Sequence, residues 1–196
     1  MDKSTLIQNN FREAIALKEQ LLQDTQLQDH ILRIADLLIH TFQQKGKVLF
    51  CGNGGSAADA QHLAAEFSGR YYFDRPPLPS EALHVNTSYL TAVANDYSYE
   101  EVYARLIRAM GNPGDVLIGL STSGNSANVV KAFMEARALG MVTVGFTGAG
   151  GGLMKEQSDY LIAIPSRNTP RIQECHMLIG HSICEIVEAA LFQRPK

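Results

Sequence analysis

The sequence predicts an α/β fold: a three-layer sandwich in which helices cover both faces of a central five-stranded parallel sheet, plus an N-terminal helical pair. Three observations carry it. Helical and strand patterns alternate along the chain, the order of repeated βαβ units. The apolar runs at residues 48–51 and 116–120 are continuous rather than alternating, as in strands buried on both faces. With 196 residues, 45% of them hydrophobic, the chain can bury one substantial core, so residues 1–196 read as a single domain.

The elements follow in order. An amphipathic segment at 6–22 opens the chain, and Ile31, Ile34, Ala35, Leu38 and Phe42 mark a second helix by their spacing. Gly46 stops it. The first strand runs over 47–51, and the others over 82–85, 116–120, 142–147 and 160–164. Helices at 56–68, 88–95, 99–110, 125–139 and 170–192 separate them. The helices within residues 1–46 are extra to the sandwich, so their apolar stripe needs a partner surface. RPPLP at 75–79 is a stiff loop, because proline fixes φ. TGAGGG at 147–152 is flexible and resembles a dinucleotide fingerprint superficially; it comes late in the chain and lacks that motif's acidic partner.

Composition removes several function classes. A net charge of −3 offers no basic excess for nucleic acid. The N-terminal MDKSTLIQNNFREAIALKEQ is polar and charged, unlike a signal peptide, and no stretch approaches the roughly 20 apolar residues of a membrane span. A cytoplasmic protein with no membrane partner is expected. Cys51, Cys175 and Cys184 are an odd set without zinc-finger or CxxC spacing, so no disulfide framework is expected, and Cys51 reads as a small buried residue at a strand end.

Two strand-to-helix junctions share one design: VLFCGNGGS at 48–56 and VLIGLSTSGNS at 116–126. Small residues let backbone approach a ligand, while hydroxyls and the free N–H groups of a helix N-terminus supply donors for an anion. Ligands of open parallel sheets sit at the carboxyl ends of strands, where both junctions lie. Ser121, Thr122, Ser123 and Ser126 crowd hydroxyls into the second junction, a density suited to a phosphate monoester. Ser, Asn and Gly are also ordinary cap and turn residues. Repetition of the design favours a ligand site.

On the helix after the first junction, His62 and Glu66 stand four residues apart and share a face. On the last helix Gln173, Met177 and His181 form a row, and His176 is turned away from it. Spacing alone does not say which of these histidines is functional.

Four segments then resemble a known family: CGNGGSAADAQHLAAEFSGR from Cys51, AVANDYSYEEVYAR from Ala92, GDVLIGLSTSGNSANVVKA from Gly114 and RIQECHMLIGHSICEIVE from Arg171. In content and order they are similar to the sugar isomerase (SIS) domain family, and within it to the sedoheptulose 7-phosphate (phosphoheptose) isomerases. The resemblance covers most of the chain and implies the SIS-type, flavodoxin-like form of the fold. It implies an aldose-ketose isomerase that makes D-glycero-D-manno-heptose 7-phosphate, a precursor of lipopolysaccharide heptose. Such a reaction moves a proton between adjacent carbons through an enediol, work suited to a carboxylate and an imidazole near neutral pH. The resemblance gives these roles to Glu66 and His181.

The resemblance further implies that Asn53, Gly54, Gly55, Asn95, Asp96, Glu66 and Gln173 contact the sugar, and that Ser121, Thr122, Ser123 and Ser126 grip the phosphate. One zinc ion per subunit is implied on His62, Glu66, Gln173 and His181, a mixed N and O set that zinc accepts. His176 is left as a surface or packing residue, and His30, His40 and His84 match none of the segments. A homotetramer is implied, with residues 1–46 packed against other subunits and sites at subunit boundaries. Two other classes share the fold: a non-catalytic adaptor that binds the replication initiator protein, and a sugar-phosphate-sensing regulatory module. The presence of Glu66 and His181 argues against the adaptor, and the lack of a DNA-binding extension in residues 1–196 argues against the regulator.

Overall fold

The structure is a computed structural model that describes residues 2–194. Helices α1 (Lys3–Gln23) and α2 (Thr25–Gln43) precede β1 (Val48–Gly52), α3 (Gly55–Ser68), β2 (Ser80–Ala82), α4 (Thr87–Asp96), α5 (Val102–Met110) and β3 (Val116–Ser121). Then come α6 (Ala127–Ala138), β4 (Val142–Thr147), β5 (Tyr160–Ala163) and α7 (Thr169–Leu191). The five strands are all parallel, in the order β2-β1-β3-β4-β5. The chain leaves β1 for β2 on one side and returns to β3 on the other. Beyond the carboxyl ends of β1 and β3 the connections therefore diverge, and a crevice opens there.

The unbroken apolar runs are explained by burial on both faces. Val48, Phe50, Val116, Ile118, Leu120, Val144 and Phe146 join Ile34, Leu38, Leu63, Phe67, Ile179 and Ile183 in one core, under α2, α3 and α7. Leu49, Cys51 and Leu117 join Tyr103, Ile107, Val129 and Phe133 in the other, under α5 and α6. Cys51 is fully buried there, and burial pushes its thiol pKa up. Asp24 caps α2, its carboxylate accepting from the Leu27 N–H at 2.9 Å. In α1 only Leu17 and Leu21 are buried, while Leu6, Ile7, Phe11 and Ile15 lie in the open.

Two expectations need correction. The second strand covers Ser80–Ala82 rather than 82–85. Val48 N–H donates to the Pro79 carbonyl at 3.0 Å, so pairing starts where the stiff loop ends, and after Leu83 N–H reaches the Phe50 carbonyl the chain turns. This edge strand has a solvent-facing side, which is why Ser80 and Glu81 carry no apolar signal. The helix expected over 99–110 opens with a 3₁₀ segment, Tyr99–Glu101, before α5, and a second 3₁₀ segment, Gly152–Gln157, follows the glycine-rich loop. The remaining elements stand with ends shifted by a few residues. Among the described residues no helix is long and apolar enough to cross a membrane.

Candidate active site

The first loop leaves β1 through Gly54, whose φ of 55° and ψ of −123° suit glycine alone. A Cβ on Gly55 would collide with Nε2 of Gln173, so the missing side chain lets the α7 amide rest on the start of α3. Asn53 is pinned by a reciprocal amide pair: its Nδ2 donates to Asn128 Oδ1 at 2.8 Å, and Asn128 Nδ2 donates to Asn53 Oδ1 at 2.9 Å. Tyr99 hydroxyl donates to the same Asn53 oxygen at 3.1 Å, and Tyr103 hydroxyl donates to the Gly52 carbonyl.

The second loop clusters its hydroxyls. Ser121 Oγ lies 2.9 Å from Ser126 Oγ and 3.4 Å from Ser123 Oγ. Ser126 occupies the N-cap of α6 without making a side-chain cap bond, so its hydroxyl and the helix N-terminus remain available to an anion. The glycine-rich loop braces this one from behind. Gly148 N–H donates to the Thr122 carbonyl, Met154 N–H to the Gly124 carbonyl, and Leu153 N–H to Asn125 Oδ1. Close backbone approach accounts for two of those glycines: a Cβ on Gly148 would strike the Thr122 carbonyl, and one on Gly152 the Ser123 carbonyl. Thr122 and Ser123 also line a cleft with Ser166, Arg167 and Thr169.

Helices α3 and α7 bring two histidines and a glutamate together. His62 Nε2 lies 3.1 Å from Glu66 Oε1 and 2.9 Å from His181 Nε2, and the three ligand atoms fall within 4.8 Å of one another. The Tyr71 ring packs beside His181 at 5.8 Å between centroids. Two imidazoles and a carboxylate converging on one point suit zinc, whose tetrahedral ligands at about 2.0–2.2 Å stand roughly 3.3 Å apart. Contacts of 2.9 and 3.1 Å need little adjustment to reach that spacing.

His176 belongs elsewhere. It is fully buried, its Nε2 donates to the Thr147 carbonyl at 3.0 Å, its ring meets Phe146 edge-on, and burial pushes its pKa down to about 4. It is a packing residue rather than a surface one. Asn95 and Asp96 pair with each other at 2.9 Å on the exposed end of α4; among the described residues no hydrogen bond joins them to the rest of the cluster. His30 accepts from the Leu161 N–H and ties α2 to β5.

The SIS domain model matches residues 10–148. The chain belongs to the SIS domain family. It is 52% identical over 188 residues to a phosphoheptose isomerase of Burkholderia pseudomallei, covering 96% of this chain and 95% of the relative. It is 50% identical over 187 residues to the phosphoheptose isomerase of Aneurinibacillus thermoaerophilus, covering 95% and 94%. The solved phosphoheptose isomerase of Neisseria gonorrhoeae superposes with a TM-score of 0.90 at 39% identity, over 96% of this chain and all of that one.

Several residues that organise this SIS domain were not singled out in the sequence. Asn128 and Tyr99 hold Asn53, yet nothing local marks them as partners of a residue so distant in the chain. Arg75 and Glu188 form a buried ion pair at 3.1 Å. Burial raises the Glu188 pKa, but N–H donors from Tyr72 and Tyr71 and the Arg75 guanidinium outweigh it and hold the carboxyl below its ordinary value.

Proposed function

We propose that this SIS domain is a cytoplasmic isomerase that converts sedoheptulose 7-phosphate to D-glycero-D-manno-heptose 7-phosphate for lipopolysaccharide heptose synthesis. The observation that carries the reading is the meeting of His62, Glu66 and His181 between α3 and α7, in a fold that also gathers hydroxyls in the loop after β3. Ser121, Thr122, Ser123, Ser126 and the α6 N-terminus bind the phosphate. Asn53, Gly54, Gly55 and Gln173 face the sugar hydroxyls, with Asn95 and Asp96 completing that side. Glu66 takes the proton from C1 of the ketose while the C2 oxygen gains one, which forms the enediol. His181 moves protons between the two oxygens, and Glu66 returns its proton to C2. His62, Glu66, Gln173 and His181 would hold one zinc ion, which supplies an electrophile for the negative charge that develops on the substrate oxygens.

The exposed Leu6, Ile7, Phe11 and Ile15 support a homotetramer in which residues 1–46 pack on other subunits, with sites at the boundaries. Residues 1–196 are read as one SIS domain. Incubating the purified protein with sedoheptulose 7-phosphate and following the aldose by NMR tests the function. Appearance of the aldose is expected, and its absence with and without added zinc would overturn the reading.

A further inference from the structure

Beyond the groups that touch substrate, we propose that the buried Arg75–Glu188 pair is a positioning unit that sets Glu66 and His62 on α3 against His181 on α7. The inference rests on the catalytic reading of those three residues. Arg75 sits in the proline-rich loop after α3, and its side chain and that of Glu188 are each 2% exposed. Its guanidinium closes the end of α3 by donating to the carbonyls of Glu66 at 2.7 Å, Phe67 at 2.7 Å and Gly69 at 3.2 Å. Glu66 and Phe67 lie in the last turn of α3, where carbonyls have no partner within the helix, and the first of them belongs to the proposed base.

Glu188 supplies the other half. It lies two helical turns beyond His181 on the same side of α7. One carboxylate oxygen accepts from Arg75 Nε at 3.1 Å and from the Tyr71 N–H at 2.9 Å, and the other accepts from the Tyr72 N–H at 2.8 Å. Glu188 therefore fixes the backbone that presents the Tyr71 ring to His181. One pair thus joins the helix of the base, the tyrosine beside the second imidazole and the helix that carries it. Stability alone is a poor reason for this arrangement, since buried ion pairs are often replaced by apolar residues at no cost. The fan of directed bonds instead specifies the relative placement of α3 and α7. Neither residue reaches the substrate, so both are positioning residues.

The test is the double variant Arg75→Met/Glu188→Leu, which removes both charges together and leaves neither buried alone. Zinc affinity is read by competition with a chromophoric chelator, alongside kcat and KM for sedoheptulose 7-phosphate, after circular dichroism and a cooperative melt establish the fold. Zinc affinity and kcat should each fall about 10–100-fold, as for other supports of ligating side chains, with KM nearly unchanged. A folded double variant with parental kcat and zinc affinity would overturn the proposal, and so would a rise in KM alone. If the double variant does not fold, Glu188→Gln keeps the side-chain shape and one acceptor, for either the Tyr71 or the Tyr72 N–H, but loses the ion pair. A fall in both readouts in that variant supports the proposal, and parental values overturn it. A parent that binds zinc without turning over substrate defeats the isomerase reading, while the zinc readout still tests the positioning. A parent that does neither defeats both.

Discussion

His62 and His181, 119 residues apart in the chain, bring their Nε2 atoms to 2.9 Å. A contact of that length between neutral imidazoles needs one N–H and one lone pair, and Glu66 stands on the same His62 nitrogen at 3.1 Å. The three side chains are therefore one chemical unit, and changes to each should have different signatures.

Glu66→Gln keeps the shape of the side chain and removes the base. Turnover should fall on the order of 100-fold to 10,000-fold while circular dichroism and melting stay parental. Near-native kcat in this variant would take Glu66 out of the proton transfer.

Ser121→Ala and Ser126→Ala should mainly weaken substrate binding. A lost hydrogen bond to a charged phosphate is worth about 1.5–3 kcal/mol, so KM should rise roughly 10- to 150-fold with a smaller change in kcat. Steady-state kinetics on both variants decide this, and an unchanged KM in both would put the phosphate elsewhere.

His181→Asn should lose turnover and bind zinc more weakly, and excess zinc should not restore it, because an amide cannot carry a proton near neutral pH. His176→Asn should keep kcat and lose stability, since it empties part of a packed site and alters the bond to Thr147. Full rescue of His181→Asn by zinc would leave that residue with metal binding alone.

His176 also makes a pH prediction. Its pKa falls from 6.5 in the unfolded chain to about 4 in the fold, so between those values the unfolded state binds the extra proton. Stability should be complete above pH 6.5 and decline as pH drops toward 4, by about 3 kcal/mol from this group. His30 and His84 are lowered by burial too and act in the same direction. Urea midpoints across that range should fall in the parent and fall less in His176→Asn. Equal slopes in both would remove His176 as the source.

Much of this protein was legible in the chain before folding. Continuous apolar runs identified buried parallel strands, and the four-residue spacing of His62 and Glu66 put them on one face, because such periodicities are local consequences of backbone geometry. The repeated Gly, Asn and Ser junctions likewise marked two strand-to-helix loops, since tight turns and helix N-termini are local features. His181 against His176 was not legible from spacing, and Arg75 with Glu188 was not legible at all. Their pairings join segments more than 100 residues apart, and the distances that matter, 2.9 Å and 3.1 Å, are set by how α7 packs on α3. Local sequence determined which elements form and which chemistry they carry. The tertiary structure decided which histidine meets the carboxylate and which is buried against Phe146, because only packing brings residues this distant in sequence to one point.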